Sequence, residues 1–222
     1  MNALFTGRRK KENVMKTFTT ILAAATATTA LAADPTLSST ELDQARAYLQ
    51  QTRSLAVGAT RGLSDAQWKF KQSADRWSIV EIVEHMVLAQ DLILGPVRQQ
   101  LVQAPAPAAE RDTRQIDSIL VNQFPDRLVK FKAPEPLAPT GRVSAGAAMD
   151  RLLSNYAKLS ELLEKDPDLR RHAVEAAPLK ALSKGRYDSM DGYQWILAAC
   201  GHVERHVKQI LEVKADPNFP AK

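Results

Sequence analysis

Near the end of the chain, the stretch CGHVERHVKQI sets His202 and His206 four residues apart. Imidazoles at this spacing lie on one face of a helix, and their ring nitrogens can meet a single cation from consecutive turns. On a wheel at ~100° per residue, Trp195, Ile196, Ala199, Val203, Ile210 and Val213 gather on one side. His206 falls inside that apolar sector and His202 lies at its edge, about 40° away. Glu204, two residues from each, points to the opposite side with Lys208 and Glu212. The pattern is therefore neither HExxH nor HxxEH, and the pair lacks the base of a zincin protease.

A tight site needs a third ligand. His85, in RWSIVEIVEHMV, lies on the apolar flank of another helix, where its ring N–H groups require partners. Helices packed ~8–10 Å apart bring such side chains together. His85, His202 and His206 can then form a three-nitrogen site with positions left for water or substrate, the arrangement of a catalytic metal. Three hydrogen-bonded packing histidines are the alternative, and spacing alone leaves both open. His172, in DLRRHAVE, is expected to be solvated in a loop. Cys200 is ~200° around the helix from His202 and is read as a buried, inert thiol. As the chain's single cysteine it forms no internal disulfide. Glu81, one turn before His85, is read as a helix cap. No GxSxG, GxGxxG, P-loop or CxxC motif occurs, so acyl-transfer elbows, nucleotide folds and redox pairs have no support.

The elements that must position these residues are helices separated by proline-marked loops. Ser38 with Glu41 makes a capping box for a first helix, along which Leu42, Ala45, Leu49, Thr52 and Leu55 recur. LSDAQWKF reads as a short helical turn. Ser78 and Glu81 make a second capping box, with Trp77 and Ile82 placed for a hydrophobic staple, and open a helix expected to reach about Gln103. Its polar strip is Glu81, Glu84 and Asp91. Prolines from Pro105 to Pro139 mark a long connection, with a helical piece near Gln115–Gln123. Ser144 opens a third helix that ends at Asp166-Pro167. A loop from Asp168 to Arg186 leads to a fourth helix, from about Asp188 to Val213. Trp77 and Trp195 are assigned to the core, and no segment alternates convincingly as a strand. The fold class expected is all-α, a four-helix bundle with long crossover connections.

Residues 1–32 stand apart. Arg8, Arg9, Lys10, Lys11 and Lys16 against Glu12 give them +4 of the chain's formal +5, leaving +1 for the rest. A basic footprint for nucleic acid is therefore absent from the folded part. MKTFTTILAAATATTALAAD carries a lysine, an uncharged Ala/Thr/Leu run and a small-x-small site at Ala30-Leu31-Ala32, the pattern of a secretory signal peptide. Translation from Met15 would retain it. The expected organisation is a signal peptide over 1–32 and one domain over 33–222, secreted or periplasmic. The run is too short to span a bilayer, and no cysteine follows the cleavage site, so no stable membrane anchor is expected.

RWSIVEIVEHMVLAQ, followed more than a hundred residues later by HVERHVKQILEVKADPNFP, resembles the DinB/YfiT-like metal-dependent superfamily. FPDRLVKFKAPEPLAPTGRVS is similar to the middle of members of that group, and the likeness covers about residues 38 to 220. The resemblance implies a four-helix bundle with non-sequential helix order. It also implies a divalent cation, Zn or Ni, held by His85, His202 and His206. Among the relatives are bacillithiol S-transferases and mycothiol-dependent isomerases. The chemistry implied is metal-dependent hydrolysis or transfer to a small-molecule substrate, with a thiol cosubstrate and a homodimer as further partners. A non-catalytic metal- or ligand-binding bundle is the alternative. Export sets this chain apart from the thiol-dependent relatives, because low-molecular-weight thiols are usually handled inside the cell.

Overall fold

The computed structural model describes residues 36–221. The signal peptide expected over 1–32 lies outside the described residues. Four long helical segments form the bundle: α1 (Ser39–Thr60), a second starting as α3 (Ile79–Leu92), α6 (Ala145–Lys165) and α8 (Gly192–Lys214). Short helices α2 (Asp65–Lys69), α4 (Arg98–Leu101), α5 (Thr113–Asn122) and α7 (Ala177–Leu182) lie in or beside the connections. In the bundle, α1 packs on α8 and α6, while α3 packs on α6 and α8. The order around the core is therefore α1, α8, α3, α6. Helices consecutive along the chain are not all neighbours. No described helix is long and apolar enough to cross a membrane.

Helix starts follow the capping chemistry. The Ser38–Glu41 and Ser78–Glu81 boxes both close, as does one between Asp191 and Gln194, and Ser144 caps α6. Each box satisfies backbone N–H groups that the first turn leaves free. The second helix is not continuous to Gln103. It passes into a π-helical turn over Ile93–Val97 that contains Pro96, then into α4. Proline removes one ladder donor and its ring crowds the preceding turn, and the widened turn accommodates both. The fourth helix starts at Gly192 rather than Asp188, because Ser189–Asp191 (β2) pairs antiparallel with Ala173–Glu175 (β1). The loop expected over 168–186 thus contains half of a two-stranded ribbon and α7. Three-residue strands are too short to show alternation in sequence.

Most of α8 is buried, including Trp195, Ile196, Val203 and Ile210, because it faces α1 and α3 and carries α5 on its outer side. At Gly201 a Cβ would stand 2.6 Å from the Leu120 carbonyl oxygen, so only glycine lets α5 approach beside His202. Cys200 is buried as expected, and burial pushes its thiol up to about 12.

The N-terminal end of α8 is fixed by a buried ionic cluster. Arg170 reaches Glu41 (2.6 Å), Asp117 (2.6 Å) and Asp191 (3.1 Å) and lies 4.2 Å over the Tyr193 ring. Burial works against its charge, but Asp117, Asp191 and Glu41 outweigh burial and raise its pKa. One guanidinium thereby ties α1, α5 and the cap of α8 together. Replacing Arg170 by Met should cost about 3–5 kcal/mol in urea unfolding, because three carboxylates lose their common partner. Arg46→Ala, which removes the exposed pair with Glu164, should barely move the midpoint. Equal small effects would show that the cluster contributes little.

Candidate metal centre

His85 projects from α3, and His202 and His206 from α8, into the interface between the two helices. The Nε2 atoms of His85 and His206 each lie 3.1 Å from Nε2 of His202. Two nitrogens sharing a tetrahedral zinc at ~2.0–2.1 Å would stand about 3.3 Å apart. The three side chains offer ligand atoms all within 4.8 Å of one another and could hold a metal ion. His85 and His206 are buried, and His202 is the half-buried member.

Their protonation follows from the groups behind them. Nδ1 of His85 is 2.7 Å from the Leu137 carbonyl oxygen. A carbonyl only accepts, so Nδ1 carries the proton and Nε2 presents a lone pair. Nδ1 of His206 is 2.8 Å from Oε1 of Gln209, and Arg127 donates to that same oxygen at 3.2 Å. An arginine only donates, so the Gln209 atom is an acceptor and His206 also presents a bare Nε2. Arg127 is in turn held by Glu212 at 2.6 and 2.8 Å. Two lone pairs thus face His202, whose own Nδ1 is buried without a hydrogen-bond partner. A cation among the three Nε2 atoms would satisfy this arrangement, and carbonyl or amide acceptors behind ligating imidazoles are the usual support of such sites.

The surroundings keep all three imidazoles neutral. Burial lowers the pKa of His85, opposed by its bond to Leu137. Burial, reinforced by the neighbouring histidines, lowers His202 well below the ordinary value. It brings His206 to about 3, with the neighbouring His85 adding to the shift and Gln209 opposing it. Neutral imidazole is the ligating form.

Several contributing residues escape a reading of the sequence. Trp77, assigned to the core, is half-buried with its ring 4.8 Å from His85 and 6.5 Å from His206, and so walls the site. Phe124 stands 6.1 Å from the His202 ring and carries Phe131 against it. Glu84, read as part of a polar strip, is buried and grips the long connection. Its carboxylate accepts from Thr140 N (3.0 Å), Thr140 Oγ1 (2.6 Å) and Gly141 N (3.0 Å). Gly141 has a φ of 69°, which glycine adopts without strain. Glu84 and His85 therefore bind the same strap at successive residues. Glu81 is a cap as expected, and it also pairs with Lys71 at 2.8 Å. Glu204 faces away, held by Tyr48 and Lys208. His172 is not simply solvated: it is half-buried, with Nδ1 2.6 Å from the Ala104 carbonyl oxygen. It takes no part in the three-histidine group.

The depressed pKa values give a pH dependence of known sign. Unfolded histidines bind protons below ~6.5, while burial lowers the pKa of the folded ones, to about 3 for His206. Stability of chelator-treated protein is therefore full above ~6.5 and declines as pH falls, by up to about 1.4 kcal/mol per pH unit per histidine. The urea midpoint should drop between pH 7 and 5, and His206→Gln should flatten the drop. An unchanged slope in that variant would contradict the assignment.

Comparison with known families matches residues 48–210 to the DinB superfamily. The uncharacterized protein YuaE of Bacillus subtilis (strain 168) is 26% identical over 154 residues, which span 69% of this chain and 87% of that protein. No solved structure is significantly similar. The matched residues enclose the three histidines and most of the bundle, and the chain belongs to the DinB superfamily.

Proposed function

We propose that the chain is an exported metal-dependent enzyme that acts on a small molecule as a hydrolase or thiol transferase. Its divalent cation, Zn or Ni, is bound by His85, His202 and His206. The observation that carries this reading is the convergence of three Nε2 atoms, two of them fixed as lone pairs by acceptors behind them. A cation held there would supply Lewis acidity and lower the pKa of a water or thiol. Leu137 and Gln209 hold the His85 and His206 rings in the ligating tautomer. Trp77 and Phe124 exclude bulk water from one side, which strengthens electrostatic interactions within. His202 is the half-buried member of the three and the one a substrate would reach first.

The carboxylates beside the ligands are committed elsewhere, Glu84 to the Thr140–Gly141 backbone and Glu204 to Tyr48 and Lys208. Neither is free to act as general base. This favours a nucleophile that ionises readily, such as a thiol with a reference pKa of ~8.5. It equally favours the second reading, a metal- or ligand-binding bundle without turnover.

Purified protein should carry about one equivalent of divalent metal, and the His202→Ala/His206→Ala variant none. Loaded protein is then assayed for conjugation of a small thiol to an electrophile and for ester and amide hydrolysis. Activity lost on chelation and regained with Zn or Ni supports the enzyme. Full loading without turnover leaves the binding bundle, and equal trace metal in both proteins removes the site.

Export rests on the Met15–Ala32 pattern. N-terminal sequencing of protein from the periplasm or medium should begin at Ala33. An intact Met1 or Met15 in the cytosol would overturn export and favour intracellular thiol chemistry.

A further inference from the structure

The segment from Asp126 to Lys132 reads DRLVKFK and lies beside the metal-site end of α8. It is pinned on both sides of its tip. The Arg205 guanidinium donates to the Asp126 and Val129 carbonyl oxygens, and Arg127 binds Gln209 and Glu212. Leu128 N donates to the Asp126 carboxylate at 2.8 Å, closing the turn. Phe131 packs inward on Phe124, and Arg205 lies 5.0 Å over its ring. Leu128 is nonetheless 86% exposed and Val129 47%. A turn clamped at four points that turns its two aliphatic side chains outward holds apolar surface in water. Scattered exposed leucines are ordinary; this one is held in place by the partly buried hydrogen bonds of Arg205 and Arg127.

Around the tip the cations Arg76, Arg127, Lys130, Lys132 and Arg205 outnumber the carboxylates Asp75, Asp126 and Glu212. Arg76, Arg127 and Lys130 all act on the single carboxylate of Glu212. Arg127 is its bidentate partner. Among the described residues Arg76, Lys130 and Lys132 form no ion pair, and all three are exposed. The rim thus combines an aliphatic tip with exposed cations in excess of the neighbouring carboxylates at one edge of the bundle.

We propose that this loop docks the metal end of the bundle reversibly onto an anionic lipid surface, with Leu128 and Val129 entering the headgroup region and Arg76, Lys130 and Lys132 contacting lipid phosphates. Basic residues beside such a surface and one or two buried aliphatic side chains are each weak, and together they give reversible attachment without an anchor. Docking would turn the rim of the three-histidine site toward the bilayer, so that amphipathic molecules could reach it directly. The inference does not depend on metal or turnover.

The basic N-terminal segment could itself adsorb to lipid, so the test reads the loop. Cys200 is buried, which lets a single introduced cysteine be labelled selectively. Full-length Leu128→Cys carrying an environment-sensitive fluorophore is mixed with phosphatidylcholine vesicles, with or without phosphatidylglycerol. Val102→Cys serves as control, because Val102 is 73% exposed near the opposite end of α8. Emission should shift to the blue at 128 with the anionic vesicles alone, stay unchanged at 102, and fade at high salt. Adding Lys130→Gln and Lys132→Gln should weaken partitioning roughly tenfold or more. Vesicle-bound protein with no shift at 128, the same shift with neutral vesicles, or an equal response to soluble inorganic phosphate would each overturn the proposal.

Discussion

Three neutral imidazole nitrogens aimed at one point repel unless something electropositive stands among them. Here two of the three are compelled to be lone pairs, because a backbone carbonyl behind His85 and an amide oxygen behind His206 can only accept. His202 can donate one proton from Nε2 and cannot satisfy both neighbours well, and its Nδ1 has no partner either way. Burial closes the other escape, since protonating the rings would place charge in a poorly solvated interface. The arrangement is costly as a packing solution and favourable as a ligand set. It accounts for the proximity of α3 and α8, the strap over α3, and the aromatic walls.

The support for this site is distributed along chain segments far apart in sequence. The long connection between α4 and α6 would be free to wander on composition alone. It is instead tied to α3 by Glu84 and by His85, so the residue that fixes the strap is the neighbour of the ligand it orients. On the other side, Glu212, Arg127 and Gln209 form a line of charge-assisted hydrogen bonds that ends on His206. The absence of side chain at Gly201 lets α5 lie close, which sets Phe124 against His202. At the far end of α8, the Arg170 cluster fixes the start of the helix. The register of His202 and His206 along α8 is thus anchored at Asp191, 11 and 15 residues, or roughly 17–22 Å, from the ligands themselves.

Membership of the DinB superfamily agrees with the bundle and with the histidine triad. The departure lies at the N-terminus, where a segment read as an export signal precedes the domain.

The sequence by itself determined the starts of α1, α3 and α6, because capping depends on residues three apart. Ser38, Ser78 and Ser144 are therefore legible, and so is the His202–His206 pair, since one helical turn relates them without reference to anything else. The sequence places the start of α8 near Asp188, whereas the helix begins at Gly192 because Ser189–Asp191 is taken up by the ribbon with Ala173–Glu175. A proline in a helix can kink, end or widen it, and at Pro96 the packing of α3 on its neighbours selects the widened π-helical turn. The partners of Glu84 and Arg170, and the Arg127 that fixes Gln209, belong to tertiary structure. These groups lie tens of residues apart, and such pairings leave no periodicity in the chain, whereas Gln209 meets His206 within one helical turn. Local hydrogen bonding fixed the elements, and long-range packing alone decided that three imidazoles would share one centre.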